Sequence, residues 1–96
     1  MVLEEAWIGD AVLTLYARQR ILASEGKIDN PKAIRMTSNQ FLSAFGESSE
    51  VEAQIGRVYL KDGLEAAFLH IDAVLLPLFE KQERRISPPL STKSED

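Results

Sequence analysis

Glu5-Ala6-Trp7-Ile8-Gly9-Asp10-Ala11-Val12-Leu13 decides how this chain is read, because it sets a carboxylate inside an otherwise uncharged run. From Ala6 to Ala17 the sequence is AWIGDAVLTLYA, and Asp10 is its single charge. A helix that is apolar almost all round is expected to be buried. A buried carboxylate without a partner costs several kcal/mol or gives up its charge. Asp10 is therefore expected to be protonated, paired with a base, or bound to a cation. Ala6, Trp7, Leu13 and Thr14 stand one turn away, so no neighbouring Lys or Arg can serve. The partner must be remote in sequence, or a metal ion.

Around this run, Leu3, Trp7, Ala11, Leu15 and Leu22, with Ile8 and Val12 beside them, give a helical period over about residues 3–24. Ser24-Glu25-Gly26-Lys27 ends it, with Gly26 as the stop. Asp29-Asn30-Pro31 reads as a cap with Pro in the first turn. The helix it opens runs to about Ala44, with Ile34, Ser38, Phe41, Leu42 and Phe45 on one side. Gly46-Glu47-Ser48-Ser49 is a turn. A third helix reaches about Lys61, where Asp62-Gly63 breaks it. A fourth starts near Leu64 and carries Leu64, Phe68, Ile71, Leu75 and Leu78 at helical spacing, with Pro77 bending or loosening its last turns. From Arg84 the chain is rich in Ser, Pro and charge, so residues 84–96 are expected to be a disordered tail behind one domain at 1–83. Neither strand alternation nor an internal repeat stands out. The expected class is all-α.

The bulk composition sets limits. Ninety-six residues make one small domain, near the lower size at which a core forms without staples. With no Cys, disulfides and thiolate metal sites are excluded and a reducing compartment is permitted. No signal-peptide pattern precedes the first helix and no apolar run matches a bilayer, so a soluble, cytoplasmic protein is expected, with no membrane partner. The net charge of −4 argues against a nucleic-acid coat protein, whose affinity comes from neutralising phosphates. It leaves room for an RNA enzyme, because carboxylates clustered at a metal site add negative charge that cations offset.

Glu52 is the second carboxylate of interest. Gly9 adjoins Asp10, and Gly56 lies one turn beyond Glu52. A mid-helix Gly costs about 1 kcal/mol relative to Ala, so two of them suggest a close helix crossing. Such a crossing brings Asp10 and Glu52 to the same side. Facing carboxylates repel unless they share a proton or a divalent cation. Mg²⁺ suits the arrangement, with Mn²⁺ as a substitute: it takes oxygen ligands, keeps several waters, and activates water for attack on a phosphodiester. Plainer readings stand beside this one. Ser49 and Glu52 have the spacing of a capping box, Gly56 can serve packing alone, and Asp10 can pair with Arg57.

The same residues carry a resemblance. AWIGDAVLTLYARQRIL resembles the signature helix of the ribonuclease III domain, E-[FY]-[LI]-G-D-A-[VI]-L. Ser49-Glu50-Val51-Glu52-Ala53-Gln54-Ile55-Gly56-Arg57-Val58-Tyr59-Leu60 is similar to its second signature, D-x-x-E-A-[LX]-[IL]-G-A-[IV]-[YF]-[LI]. Between them, Arg35-Met36-Thr37-Ser38-Asn39-Gln40-Phe41-Leu42 resembles the connecting L-V-S-N-x-x-L-A. Two of the family's four acids are replaced, by Ala6 and Ser49, leaving Asp10 and Glu52. The compact mini-ribonuclease III branch resembles the chain at these points, in A-[YW]-[IL]-G-D-A-V followed by Arg18. That branch lacks a double-stranded-RNA-binding domain, and the resemblance leads to none being expected here. The further basic segment of that branch, between the second helix and the Glu52 block, is missing here.

The resemblance implies a compact helical ribonuclease III-like domain acting as a homodimer, with Trp7 and Ile8 at the interface. It implies Mg²⁺-dependent hydrolysis of double-stranded RNA, of ribosomal precursor type, with Asp10 and Glu52 as catalytic and metal-binding residues. The alternative is a catalytically silent relative that binds RNA or a ribosomal partner. A helical interaction domain without an RNA role is a third reading. Arg18, Lys32 and Arg35 are candidate RNA contacts, although these and Arg20 equally suit a solvated face. Lys81, Arg84 and Arg85 form a small basic cluster. Ser38-Asn39 reads as a cap or helix bridge rather than an RNA contact. His70, the single His, has no second ligand nearby and reads as structural.

Overall fold

The computed structural model describes residues 2–86, and among these every regular element is helical. Helix α1 (Val2–Glu25) is followed by α2 (Asn30–Thr37), α3 (Asn39–Leu42), one 3-10 turn (Ser43–Phe45), α4 (Ser48–Asp62), α5 (Leu64–Val74) and α6 (Leu76–Ile86). The all-α expectation holds.

Local chemistry accounts for most of the boundaries. Gly26 adopts φ +73° and donates its N–H to the Leu22 carbonyl at 2.9 Å, closing α1 where the sequence predicts. The Asp29 carboxylate accepts the Lys32 N–H at 3.1 Å and caps α2, with Pro31 in its first turn. Gly63, at φ +96°, separates α4 from α5.

Three expectations need correction. The helix predicted from Asn30 to Ala44 is split at Ser38. Its Oγ accepts the Phe41 N–H at 3.1 Å, and its own backbone is extended, so the hydroxyl ends one helix and caps the next. Pro77 disturbs the fourth helix as expected, but sharply enough to divide it in two. It lacks an N–H for the carbonyl one turn back, so the chain breaks at Leu75 and restarts as α6. Arg84 and Arg85 lie within α6 rather than in a tail, and the rest of the expected tail, 87–96, falls outside the described residues.

The core is built on the opposite face of α1 from the one the sequence suggests. Ala6, Gly9, Val12, Leu13, Tyr16, Ala17 and Ile21 point inward, while Leu3 (77% exposed), Trp7 (78%), Ala11, Leu15 and Leu22 face outward. A helix apolar on all sides offers two plausible stripes. The one containing small residues is chosen, because only there can a second helix approach closely.

Leu13, Leu42, Ile55, Ile71 and Leu75 form the dry centre with Met36. Phe41 packs edge-on against Phe79, with centroids 5.8 Å apart, and so draws α6 onto α3. Two ion pairs tie α6 further: Arg35 Nε to Glu83 at 2.8 Å, and Arg20 to Glu80 at 3.3 Å. Tyr16 donates its hydroxyl to Asp72 and packs edge-on against Phe68, which joins α1 to α5.

Candidate functional site

α1 and α4 cross backbone to backbone. A methyl group on Gly9 would overlap the Glu52 carbonyl and lie 2.9 Å from the Gly56 nitrogen; on Gly56 it would overlap the Glu5 carbonyl and lie 3.0 Å from the Gly9 nitrogen. No side chain larger than hydrogen fits at either point. Gly9 touches Glu52 while Gly56 touches Glu5, so the helices run antiparallel.

These contacts are reciprocal, and the sequence explains why. Glu5-Ala6-Trp7-Ile8-Gly9 and Glu52-Ala53-Gln54-Ile55-Gly56 share the frame Glu-Ala-x-Ile-Gly. This short shared frame gives the crossing a local two-fold character. Ala6 and Ala53 are both buried beside the glycines.

The residues following the two glycines break the symmetry. Arg57 donates to Glu5, from Nη2 to Oε1 at 2.9 Å and from Nε to Oε2 at 3.3 Å. The equivalent position on the other side of the axis pairs Glu52 with Asp10, two acids within hydrogen-bonding reach of each other. Burial first, and then the facing Asp10 carboxyl, push the Glu52 carboxyl up from its usual 4.5 to about 7. One diagonal of the crossing is a salt bridge. The other is an acid pair, with no base beside it among the described residues.

Asp10 and Glu52 thus meet as the two glycines suggest, but the setting differs from expectation in two respects. Asp10 is exposed rather than buried, and Glu52 is only partly buried. The plainer explanations for both residues also fail. Arg57 is engaged by Glu5, not Asp10. Glu52 belongs to no capping box, because the N-cap position of α4 is Glu47, which makes no side-chain cap bond, and the Ser49 hydroxyl donates to Glu47, 3.4 Å away.

Trp7 is not a core residue: it projects from the outer face of α1, with Ile8 half-buried beside it. Ala6 lies buried beneath the crossing and Ser49 sits in the first turn of α4. Among the described residues, no group of three or more Asp, Glu, His or Cys side chains converges. The two carboxylates still form a fit donor set for a small hard cation that keeps most of its waters, since both are oxygen ligands, uncompensated and open to solvent.

The basic candidates are not gathered at this site. Lys32 pairs with Glu25 at 2.6 Å, near the end of α1 and about 22 Å along the helix from Asp10. Arg35 is clamped to Glu83, and Arg18 stands exposed two turns beyond Asp10. Glu5 and Arg57, which sequence reasoning passes over as site residues, are the groups that adjoin the acid pair; the repeated Glu-Ala-x-Ile-Gly frame was the available signal. His70 is half-buried, and burial lowers its pKa. Clefts of about 310 Å³ beside Arg35 and Glu83, and about 410 Å³ beside Tyr16 and Asp72, lie away from the acids.

No family model matches the chain, and no curated protein or solved structure proves similar to it. No helix among the described residues is long and apolar enough to cross a membrane.

Proposed function

We propose that this protein is a divalent-cation-dependent endoribonuclease acting on double-stranded RNA, with ribosomal precursor RNA as the implied substrate and the cytoplasm as its compartment. One observation carries the reading. At two equivalent positions of a single helix crossing, one glutamate is matched with an arginine and the other with an aspartate. Stability alone favours a base at both positions. An acid at the second position weakens the fold unless a cation is bound there, and hard oxygen donors select Mg²⁺ or Mn²⁺.

Asp10 and Glu52 are the ligands in this reading. The Gly9–Gly56 contact holds their backbones at a fixed separation, so neither helix has to move to bring the carboxylates together. When bound, such a cation polarises a phosphoryl oxygen and lowers the pKa of a bound water. The two carboxylates would hold that cation and orient the groups around it. The similarity of the Asp10 and Glu52 blocks to the two ribonuclease III signatures supplies the substrate class.

The exposed stripe of Leu3, Trp7, Ala11 and Leu15 supports the homodimer part of this reading, since a second copy would cover it. The replacement of two family acids by Ala6 and Ser49 favours the runner-up, a silent relative that binds RNA or a ribosomal partner without cutting it.

Incubating the protein with a generic RNA duplex in Mg²⁺ or Mn²⁺ separates the two. Cleavage by the wild type that is lost in Asp10→Asn and Glu52→Gln supports the enzyme. Binding without cleavage supports the silent relative. Neither binding nor cleavage leaves the helical interaction domain.

A further inference from the structure

The charges of this chain are not spread evenly over the fold. Within residues 2–86, the segments 18–35 and 76–86 hold eight basic residues and four acids, while 2–17 and 36–75 hold two basic residues and nine acids. Folding gathers each set. The first half of α1 crosses α4 at Gly9 and Gly56, and so sits with the acids, Asp10 and Glu52 among them. The second half of α1 is tied to α6 by Arg20–Glu80 and to α2 by Lys32–Glu25, and α2 is tied to α6 by Arg35–Glu83. A net charge of −4 thus conceals an acidic part that carries the acid pair and a basic part built on α2 and α6.

In the basic part the acids do not balance the bases. Two clefts adjoin at Glu83, which lines both. One, of about 290 Å³, is walled by Arg20, Lys32 and Arg84; the other, of about 310 Å³, by Arg35 and Arg85. Glu80, Glu25 and Glu83 are taken by Arg20, Lys32 and Arg35 respectively. Arg84 and Arg85 are exposed, and neither has an acid partner among the described residues. The macrodipole of α6 accounts for a base in its last turn. It does not account for the excess that α1 and α2 bring to the same clefts.

Consecutive arginines opening on two joined clefts suit an anion that repeats its charge, not a single small one. An anionic lipid surface is one such partner, and a basic amphipathic helix meets it with its apolar face. In α6 that face is already occupied: Phe79 is buried and packs on Phe41. A nucleic-acid backbone needs only the charged face. The acidic part repels phosphates until cations load it, so an approaching RNA is steered to the basic part first.

We propose that the α2–α6 seam, with Arg84 and Arg85 at its centre, is the surface by which this protein holds the phosphate backbone of duplex RNA. The nature of the polymer rests on the ribonuclease reading. The seam answers the missing basic segment between the second helix and the Glu52 block with bases drawn from other parts of the chain.

Duplex RNA binding, followed by fluorescence anisotropy over a salt series, tests this in wild type, Arg84→Gln, Arg85→Gln, the double variant and Lys61→Gln. Gln has nearly the helix propensity of Arg, so the variants should fold. Lys61 is exposed in the last turn of α4, in the acidic part, and its variant controls for a change in net charge alone. The double variant is expected to bind about tenfold more weakly and to flatten the slope of log affinity against log salt by about 1.8, the loss of two phosphate contacts. Each single variant loses about half of that slope, and Lys61→Gln keeps the wild-type value. Where the wild type cuts the duplex, the double variant raises KM and keeps kcat. A double variant with wild-type affinity and slope, or an equal effect of Lys61→Gln, overturns the proposal and leaves the ribonuclease reading standing. Binding to vesicles rich in phosphatidylserine that the double variant loses, with RNA binding unchanged, assigns the seam to lipid and also overturns it. A wild type that holds RNA through Arg84 and Arg85 without cutting keeps the surface and removes the enzyme. A wild type that binds no duplex removes both.

Discussion

Gly9 and Gly56 touch backbone to backbone, and each lies against the carbonyl of the glutamate four residues before the other. Helix propensity favours Ala at both positions by about 1 kcal/mol. The crossing forbids it, because the atom a methyl group would meet is backbone and cannot turn aside. Gly9→Ala and Gly56→Ala should each lower stability by about 2–4 kcal/mol, the overpacking cost exceeding the propensity gain. Denaturant melts check this, and a rise in midpoint in either variant would show that the helices can separate freely.

The acid pair should leave a mark on stability against pH. Glu52 has a folded-state pKa raised to about 7, so between about 4.5 and 7 the folded protein holds a proton that the unfolded chain releases. Stability from this group is full below about 4.5 and is lost as pH rises through about 7. Water screens the partly exposed pair, so the expected loss is about 1 kcal/mol. Glu52→Gln should remove this slope entirely. Asp10→Asn should remove only a part, because burial is the larger cause of the shift. Melting curves at pH 4.5, 6 and 7.5 measure the difference, and parallel profiles for wild type and Glu52→Gln would contradict it.

Adding Mg²⁺ at pH 7.5 should raise the melting temperature of the wild type and leave Asp10→Asn unmoved. A ligand that binds only the folded state stabilises it in proportion to the logarithm of its concentration over Kd. An equal shift in both proteins would mean that the ion binds elsewhere.

Trp7 gives the assembly prediction. With its indole exposed and in line with Leu3 and Ala11, a homodimer built on α1 would bury it. Sedimentation should show a dimer at micromolar concentration, and Trp7→Glu should convert it to a monomer that still folds. A wild type that sediments as a monomer rejects the dimer.

Tyr16 and Asp72 provide a test of the fold alone. The phenol is almost covered, and both burial and the Asp72 carboxylate hold its pKa well above the ordinary tyrosine value. Tyr16→Phe should cost about 1 kcal/mol, since exposed Asp72 regains water while a charge-assisted hydrogen bond is lost. Calorimetry that finds Tyr16→Phe as stable as the wild type would show that the bond contributes nothing.

Local chemistry in the sequence determines the helical class, the ends of α1 and α4, and the start of α2. Gly26, Gly63, Asp29 and Pro31 act within a few residues of themselves, so their effect can be read without knowing what lies across the core. The two glycines likewise announce a close crossing, because their cost within a helix needs a return elsewhere. Other outcomes depend on what each residue meets in space. The outward turn of Leu3 and Trp7 was decided by which face of an all-round apolar α1 could admit α4, and small residues won over large ones. The split at Ser38 was decided by a hydroxyl choosing between continuing one helix and capping another. Only the tertiary structure could show that Arg57 answers Glu5 and leaves Asp10 facing Glu52, since that pairing joins residues more than forty positions apart. The repeated Glu-Ala-x-Ile-Gly frame holds the symmetry in the sequence; its meaning exists only where the two copies touch.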